Sequence, residues 1–554
     1  MTAVTPIAPM TPMTPSPNRS RRALLAAAAV GLPWMVGCRG TASPVTEEIP
    51  AVWVGVDVER GHRLRNFPAL STALPVPALR RQAGVLIVGG GVAGLAALRA
   101  FYRQGVDDVQ LLELEDSVGG NSRGHRLAGL ACPLGAHYLP LPGPQAREVS
   151  DWLHEIGLLK FELGRTVAEE RHLCHSPQER LFIDGAWAEG LLPPADASSV
   201  TARQYQNFAR RVAEASAPLR GRPAFAMPAH RAAWSAELQS LNERSFADWL
   251  DGHGLNDARL RWYLDYCCRD DYGAAADTVS AWAGLHYFAS RHGFNPPGLE
   301  AVEREPVFTW SEGNQWLVNR LAEPPAERLH TARTVLRVTE GRHGVEVLAW
   351  DEKLQRAEAW RAQTVVLALP LFVAARLLAV VPAALQQAAV LLQRAPWLVA
   401  NLQLQGAPLD RPGAPPSWDN VIYGSNALGY VDAMHQSLRS APGPTVFTAY
   451  HPLVPGQRAG LLADPPARWA DLVLQALAVA HPDIQRRVQR IEMARWAHAM
   501  AIPRPGVHRH PALSALRAAR GRVRFAHADL AGYSVFEEAF VAGSEVAGPA
   551  PKLR

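Results

Sequence analysis

Gly84-Val85-Leu86-Ile87-Val88-Gly89-Gly90-Gly91-Val92-Ala93-Gly94 is the most informative run in the chain. Gly84 to Val88 is short, apolar and mostly β-branched, as a parallel strand covered on both faces requires. It passes directly into Gly-x-Gly-x-x-Gly. An Ala- and Leu-rich helix follows from Leu95 to about Gln104 and ends at Gly105, and Val109 to Leu114 reads as a second strand. In such a strand–turn–helix–strand unit Gly89 permits the tight turn, Gly91 lets the backbone approach a pyrophosphate, and Gly94 lets the helix pack closely on the strand. The free N–H groups at the helix start face the phosphates. Glu113 lies about twenty residues downstream, where an acid grips the ribose of an adenosine. Alternation along Val109–Leu114 favours it over Glu115. The unit binds a dinucleotide.

The next residues, Glu113-Leu114-Glu115-Asp116-Ser117-Val118-Gly119-Gly120-Asn121-Ser122-Arg123-Gly124, separate the two common dinucleotides. They resemble the "acid, short spacer, Gly-Gly" fingerprint of the flavin-containing amine oxidase / phytoene desaturase / protoporphyrinogen oxidase superfamily. The resemblance implies FAD, with Gly119 and Gly120 lying against it free of side-chain bulk. Asn121 stands where a basic residue is usual, so Arg123 is expected to supply that charge. Ala131 to Tyr138 resembles the stretch beside the flavin, with His137 at the ring and Pro133 in place of the usual acid. Near the other end, Arg522 to Ala526 reads as a strand, His527-Ala528-Asp529 and Leu530 to Ser534 as a loop, and Val535 to Val546 as a helix. This resembles the superfamily's C-terminal flavin motif. It implies Asp529 near the ribityl and pyrophosphate groups, with the helix start at Val535, Phe536 and Glu537 aimed at the flavin, where its dipole favours negative charge on the reduced ring. Between these blocks, Val335–Val338, Val345–Trp350 and Thr364–Leu369 resemble the three middle strands of the same domain, with Val335 at the adenine.

The fold expected is therefore α/β, with a discontinuous Rossmann-type FAD-binding domain (83–144, 306–374 and 508–554) carrying an inserted α+β substrate domain. The inserts are 145–305, mostly helical, and 375–507, where strands near Ser417–Asn420 and Leu428–Tyr430 floor the substrate site. Ser245 and Asp248 read as a helix cap. Arg269-Asp270-Asp271 reads as an internally paired ion cluster or, alternatively, as a lining of the active-site mouth. Trp496, His498 and His286 are the candidate catalytic side chains. Each competes with a simple core role. Related amine oxidases keep a lysine near the flavin N5. Here the lysines are Lys160, Lys353 and Lys552, none well placed, and the aromatic cage position before the last helix aligns with Val535.

Composition narrows the remaining classes. The 554 residues are 48% apolar and 19% charged, which excludes global disorder. Mean hydropathy is −0.07 and no apolar run reaches the ~20 residues of a spanning helix, which excludes a polytopic membrane protein. The net charge of +5 is spread along the chain without a basic block, so nucleic acid is not an expected partner. Of the five cysteines (Cys38, Cys132, Cys174, Cys267 and Cys268), none forms a CxxC and no HExxH occurs, so no metal centre is signalled. Adjacent Cys267 and Cys268 do not suit a mutual disulfide, and a Cys132–Cys174 bridge stays open.

Residues 1–38 resemble an address. Arg21-Arg22 precedes the apolar Ala23–Val36, and Met35-Val36-Gly37-Cys38 resembles a lipobox. The resemblance implies twin-arginine translocase export, lipidation of Cys38 and a periplasmic lipoprotein held to the membrane by that anchor alone. The competing reading is an Ala-rich core helix. Residues 39–82 read as a tether with a short surface segment. The expected activity is hydride transfer from a small-molecule substrate to FAD, with an amine or polyamine as donor and oxygen or a quinone as acceptor. Two alternatives are a desaturase-like dehydrogenase of an apolar substrate and a flavin-binding lipoprotein without turnover.

Overall fold

The computed structural model describes residues 49–66, 74–291, 293–296, 306–323, 326–437 and 443–548. The export signal with Arg21, Arg22 and Cys38 lies outside them, as does Lys552.

The strand Leu79–Val88 is deeply buried at its C-terminal end, where Leu86 and Ile87 are 0% exposed. It runs parallel to Val109–Leu112 on one side and to the long strand Arg356–Leu367 on the other. The far edge of Arg356–Leu367 is shared. Gly344–Asp351 pairs antiparallel along its first half, and Val523–Phe525 pairs parallel along its second. A strand from the far end of the chain thus joins the same seven-stranded sheet as the glycine motif. The helices obey the same logic. Val92–Arg103 and Phe536–Val546 cross so closely that a Cβ on Gly543 would lie 2.1 Å from the Ala93 carbonyl oxygen. Only a residue without a side chain fits there.

The helix Arg147–Glu155 also belongs to this unit. Trp152 is 1% exposed and packs on Phe540 at 5.1 Å between ring centroids. The boundary expected at 144 therefore cuts off a core element. Its apolar stripe of Val149, Trp152 and Leu153 needs the C-terminal helix as its partner.

The substrate unit is built on an eight-stranded mixed sheet. Its spatial order is Ala51–Trp53, Val488–Ala501, Arg394–Leu404, Thr445–Pro452, Tyr430–Asp432, Asp419–Ile422, Glu179–Ile183 and Ala186–Glu189. Both inserts contribute strands, and helices including Ala258–Tyr272 and Ala281–Ala289 cover it. The Ser245 side chain accepts from the Asp248 N–H at 3.1 Å, the cap the sequence implies.

Two expectations are corrected here. Residues 49–66 are not a tether. Ala51–Trp53 extends the substrate sheet beside Ile491–Met493. The helix Val58–Asn66 that follows fixes Arg63 on Glu352 at 2.6 Å, and the Asp57 N–H donates to Glu115 at 3.1 Å. An apolar strand with a free sheet edge beside it pairs rather than staying solvated. Nor do Arg269, Asp270 and Asp271 pair with one another. Successive helical residues do not face each other, so Arg269 meets Asp265 (2.9 Å), Asp271 meets Arg291 (2.9 Å), and Asp270 accepts from the Tyr138 hydroxyl (3.3 Å).

All four described cysteines are free thiols, so Cys132 and Cys174 form no bridge. Among the described residues no helix is long and apolar enough to cross a membrane.

The crossing at Gly543 yields a direct test. Gly543→Val should lower unfolding free energy by about 1–3 kcal/mol in chemical denaturation, with loss of bound flavin. Gly406→Ala, where a Cβ meets open space, should change it by less than about 0.5 kcal/mol.

Candidate flavin and substrate site

The dinucleotide cradle is made of backbone. Gly89 has φ +106°, and a Cβ on it would lie 2.4 Å from the Ala368 carbonyl. A Cβ on Gly94 would lie 1.9 Å from the Gly89 carbonyl, so the helix can start against the strand only as glycine. Gly91 is the N-cap of Val92–Arg103, whose first turn carries no acidic residue to cancel its positive end. The glycine doublet closes over this turn. The Gly119 N–H donates to the Gly90 carbonyl at 2.8 Å, and a Cβ on Gly120 would approach the Gly91 Cα to 3.2 Å. Phosphates at this place would meet only N–H groups and Cα atoms.

Glu113 closes one end. It is 9% exposed, and its carboxylate accepts from the Gly90 N–H (2.6 Å) and the Glu115 N–H (2.9 Å). Burial raises its pKa, against the pull of those N–H groups and of Arg123. Each oxygen keeps acceptor capacity for a ribose hydroxyl. The Arg333 N–H donates to the Glu113 carbonyl at 2.8 Å, which starts the strand carrying Val335, itself 7% exposed. Arg123 is 5% exposed. It donates to the Gly120 carbonyl (3.3 Å), lies 3.6 Å from the Glu115 carboxylate and stands 5.3 Å from the centre of the Trp496 ring. A cradle that any Cβ would fill, an unopposed helix start and a ribose-side carboxylate together fit FAD.

At the other end the structure distributes the expected residues differently. Asp529 is 0% exposed and is held by the Leu371 N–H (2.8 Å) and the Arg394 guanidinium. It therefore anchors the C-terminal motif to the first residue of the strand Arg394–Leu404, a partner invisible in the motif itself. Val535 is the half-buried N-cap of the last helix, without a side-chain cap. Phe536 turns onto Trp152, ring centroids 6.1 Å apart. The buried Glu537 occupies the first turn, and burial pushes its carboxyl up to about 7.

The three candidate catalytic side chains separate. The Trp496 indole donates to the Leu134 carbonyl at 2.6 Å, and the Asn121 amide donates to the Ala499 carbonyl at 2.7 Å. These bonds lace the strand Val488–Ala501 to the loops at Asn121 and Leu134, which the resemblance assigns to the flavin. His498 instead packs on Phe372, at 4.7 Å. His286 is 0% exposed, its Nε2 lies 3.0 Å from the Ala226 carbonyl, and burial lowers it to about 3. It is a neutral core histidine. Lys160 pairs with Glu169 on an exposed hairpin, and the Lys353 N–H donates to Asp351 in a turn, so neither reaches the cradle.

What the sequence does not show is an aromatic and acidic chamber next to His137. The His137 ring stacks on Tyr450 at 4.3 Å, with Tyr138 at 5.0 Å and Trp418 at 5.5 Å. The Tyr450 hydroxyl donates to the Gly135 carbonyl at 3.0 Å, which fixes the chamber to the flavin loop. Asp270 and Asp419 stand in the same group. Burial and the neighbouring Asp271 push Asp270 up to about 7, and burial with Glu179 and Asp270 raises Asp419. Both residues are half-buried. The nearby cation, Arg291, is already taken by Asp271. Burial lowers His137 to about 3, so it adds no positive charge.

With this geometry in place, residues 92–548 match the family model "flavin containing amine oxidoreductase", and the chain belongs to that family. It is an FAD-dependent oxidoreductase. A polyamine oxidase of Oryza sativa subsp. japonica is 35% identical over 74 residues, a match that spans 13% of this chain and 15% of that protein. Putrescine oxidase, solved with putrescine bound, superposes with a TM-score of 0.62 at 18% identity, covering 84% of this chain and 98% of the other. Cyclohexylamine oxidase from Brevibacterium oxydans gives 0.60 at 16%, with 84% and 98% covered. A fatty acid isomerase from P. acnes gives 0.58 at 14%, with 84% and 97% covered. At these identities the likeness is one of fold.

Glu113→Ala removes the acceptor that fixes both Gly90 and a ribose. The purified variant should retain flavin at least about tenfold more weakly, read from visible absorbance after gel filtration.

Proposed function

We propose that the protein is an exported oxidase of small diamines or polyamines. The observation that carries this reading is the pair Asp270 and Asp419, desolvated among aromatic rings and, among the described residues, in no salt bridge. An apolar substrate would leave both carboxylates unpaired in a low-dielectric site, at considerable cost. A substrate ammonium group neutralises them, and the faces of Tyr138, Trp418 and Tyr450 favour the same cation. The amine-oxidising relatives agree with this choice. The fold alone makes none, since it also resembles a fatty acid isomerase.

When bound, FAD supplies the two-electron acceptor for the C–H bond beside the amine, with oxygen or a quinone as onward acceptor. The chain does the positioning. Asp270 and Asp419 hold one ammonium group, which places the second nitrogen of an extended diamine toward His137 and the flavin loop. His137, kept neutral by burial, does not repel it. Trp496 and Asn121 keep the floor strand against that loop.

Asp270→Asn should raise KM for putrescine at least about tenfold while flavin content stays unchanged. In the parent protein, KM should fall as pH rises through about 7, where Asp270 ionises, and this dependence should flatten in the variant. The sign for stability is opposite. A carboxyl raised in the fold binds its proton more tightly there, so the unliganded protein loses stability between the ordinary aspartate range and about pH 7. Anaerobic titration decides the substrate class, because bleaching of the flavin by an apolar donor and by no amine would refute the reading.

Export is part of the proposal and is supported by Arg21-Arg22, the apolar Ala23–Val36 and Cys38. Cys38→Ser should move the protein from the membrane fraction to the soluble periplasmic fraction.

A further inference from the structure

One polar pocket shares no lining residue with the glycine cradle. It has a volume of about 680 Å³ and is bounded by the helix Pro511–Ala518 and the C-terminal end of Phe536–Val546. Its charge is unbalanced. Glu148 and Glu545 line it, but both are already bound by Arg231, at 2.6 and 2.7 Å, and Glu545 also meets His230 at 3.1 Å. Arg509, Arg517 and Arg520 line it as well.

Of these, Arg509 donates, among the described residues, only to the backbone carbonyls of His230 and Ala232, and its guanidinium lies 5.1 Å from the centre of the Trp234 ring. Arg520 likewise donates to the carbonyls of Arg517 and Ala519. Among the described residues neither forms a salt bridge with a carboxylate. Arg517 reaches Glu545 and Glu538 only at 3.8 and 4.0 Å. Arg222 adds further positive charge beside Arg509.

At the pocket wall sits His508, 5% exposed and stacked on Trp282 at 3.6 Å. Neither of its ring nitrogens completes a well-formed hydrogen bond, although the Ala531 backbone is near.

We infer that this pocket is a binding site, separate from the flavin cleft, for a small organic or inorganic anion bearing phosphate or clustered carboxylate groups. Planar guanidiniums without carboxylate partners are the groups that recognise such oxyanions. The volume lies in the range of small-molecule sites. The inference is independent of the substrate reading, since none of these residues belongs to the cradle or the aromatic chamber.

The test uses the flavin-loaded protein, so that the cradle is already filled. Isothermal titration with inorganic phosphate, pyrophosphate and citrate should give saturable binding of at least one probe that weakens as salt rises. Binding should leave the flavin spectrum unchanged. Arg509→Ala with Arg520→Ala should weaken it at least about tenfold, with flavin content and turnover retained. A conservative Arg509→Lys variant should keep part of the affinity. No binding of any probe at millimolar concentration would overturn the inference. So would unchanged affinity in the double variant, or binding that competes with substrate or shifts the flavin spectrum.

Discussion

The molecule depends on one close approach: the last helix crosses Val92–Arg103 with Gly543 directly over the Ala93 carbonyl, where a Cβ would lie at 2.1 Å. At that distance no side chain can intervene, so the C-terminal strand and helix are pressed into the unit begun by Gly89, Gly91 and Gly94. The shared edge of Arg356–Leu367 enforces the same closure within the sheet, because Val523–Phe525 completes what Leu79–Val88 starts. A dinucleotide site made from both ends of a chain needs such a lock. Helix termini act on phosphate and flavin only over the first turn, and a small slip of either helix would misplace them.

A second set of contacts joins the two units. Asp529 is tied to Arg394, Trp496 to Leu134, Asn121 to Ala499 and Tyr450 to Gly135. Each bond runs between a flavin-side loop and the substrate sheet. The aromatic chamber is therefore registered to the flavin-side loops by directional hydrogen bonds, where apolar contact alone would tolerate sliding. The segment 49–66 adds a strap, since it pairs with the substrate sheet and also reaches Glu115 and Glu352 of the nucleotide unit.

The chamber itself is a site of frustration. Asp270 and Asp419 are both desolvated beside the same aromatic rings, while the adjacent Arg291 is committed to Asp271. A fold built only for stability would not keep such a group.

The readable parts of the sequence were those governed by short-range sterics. Gly89 and Gly94 must be glycine because neighbouring carbonyls leave no room, Ser245 caps because its hydroxyl meets an N–H three residues on, and the β-branched run to Val88 can only be a buried strand. These local constraints were enough for a dinucleotide-binding unit with Glu113 after its second strand, and the resemblance of the glycine doublet that follows implied FAD. Tertiary structure alone decided the rest. It placed His137, Asp270, Asp419 and Tyr450 in one chamber, sent Asp529 to Arg394, put His286 in the core, kept Cys132 apart from Cys174 and turned residues 49–66 from a tether into a strand and helix. Those outcomes rest on contacts between residues from 60 to more than 400 positions apart, whose partners are set by the path of the sheets and leave no periodicity or spacing in the chain.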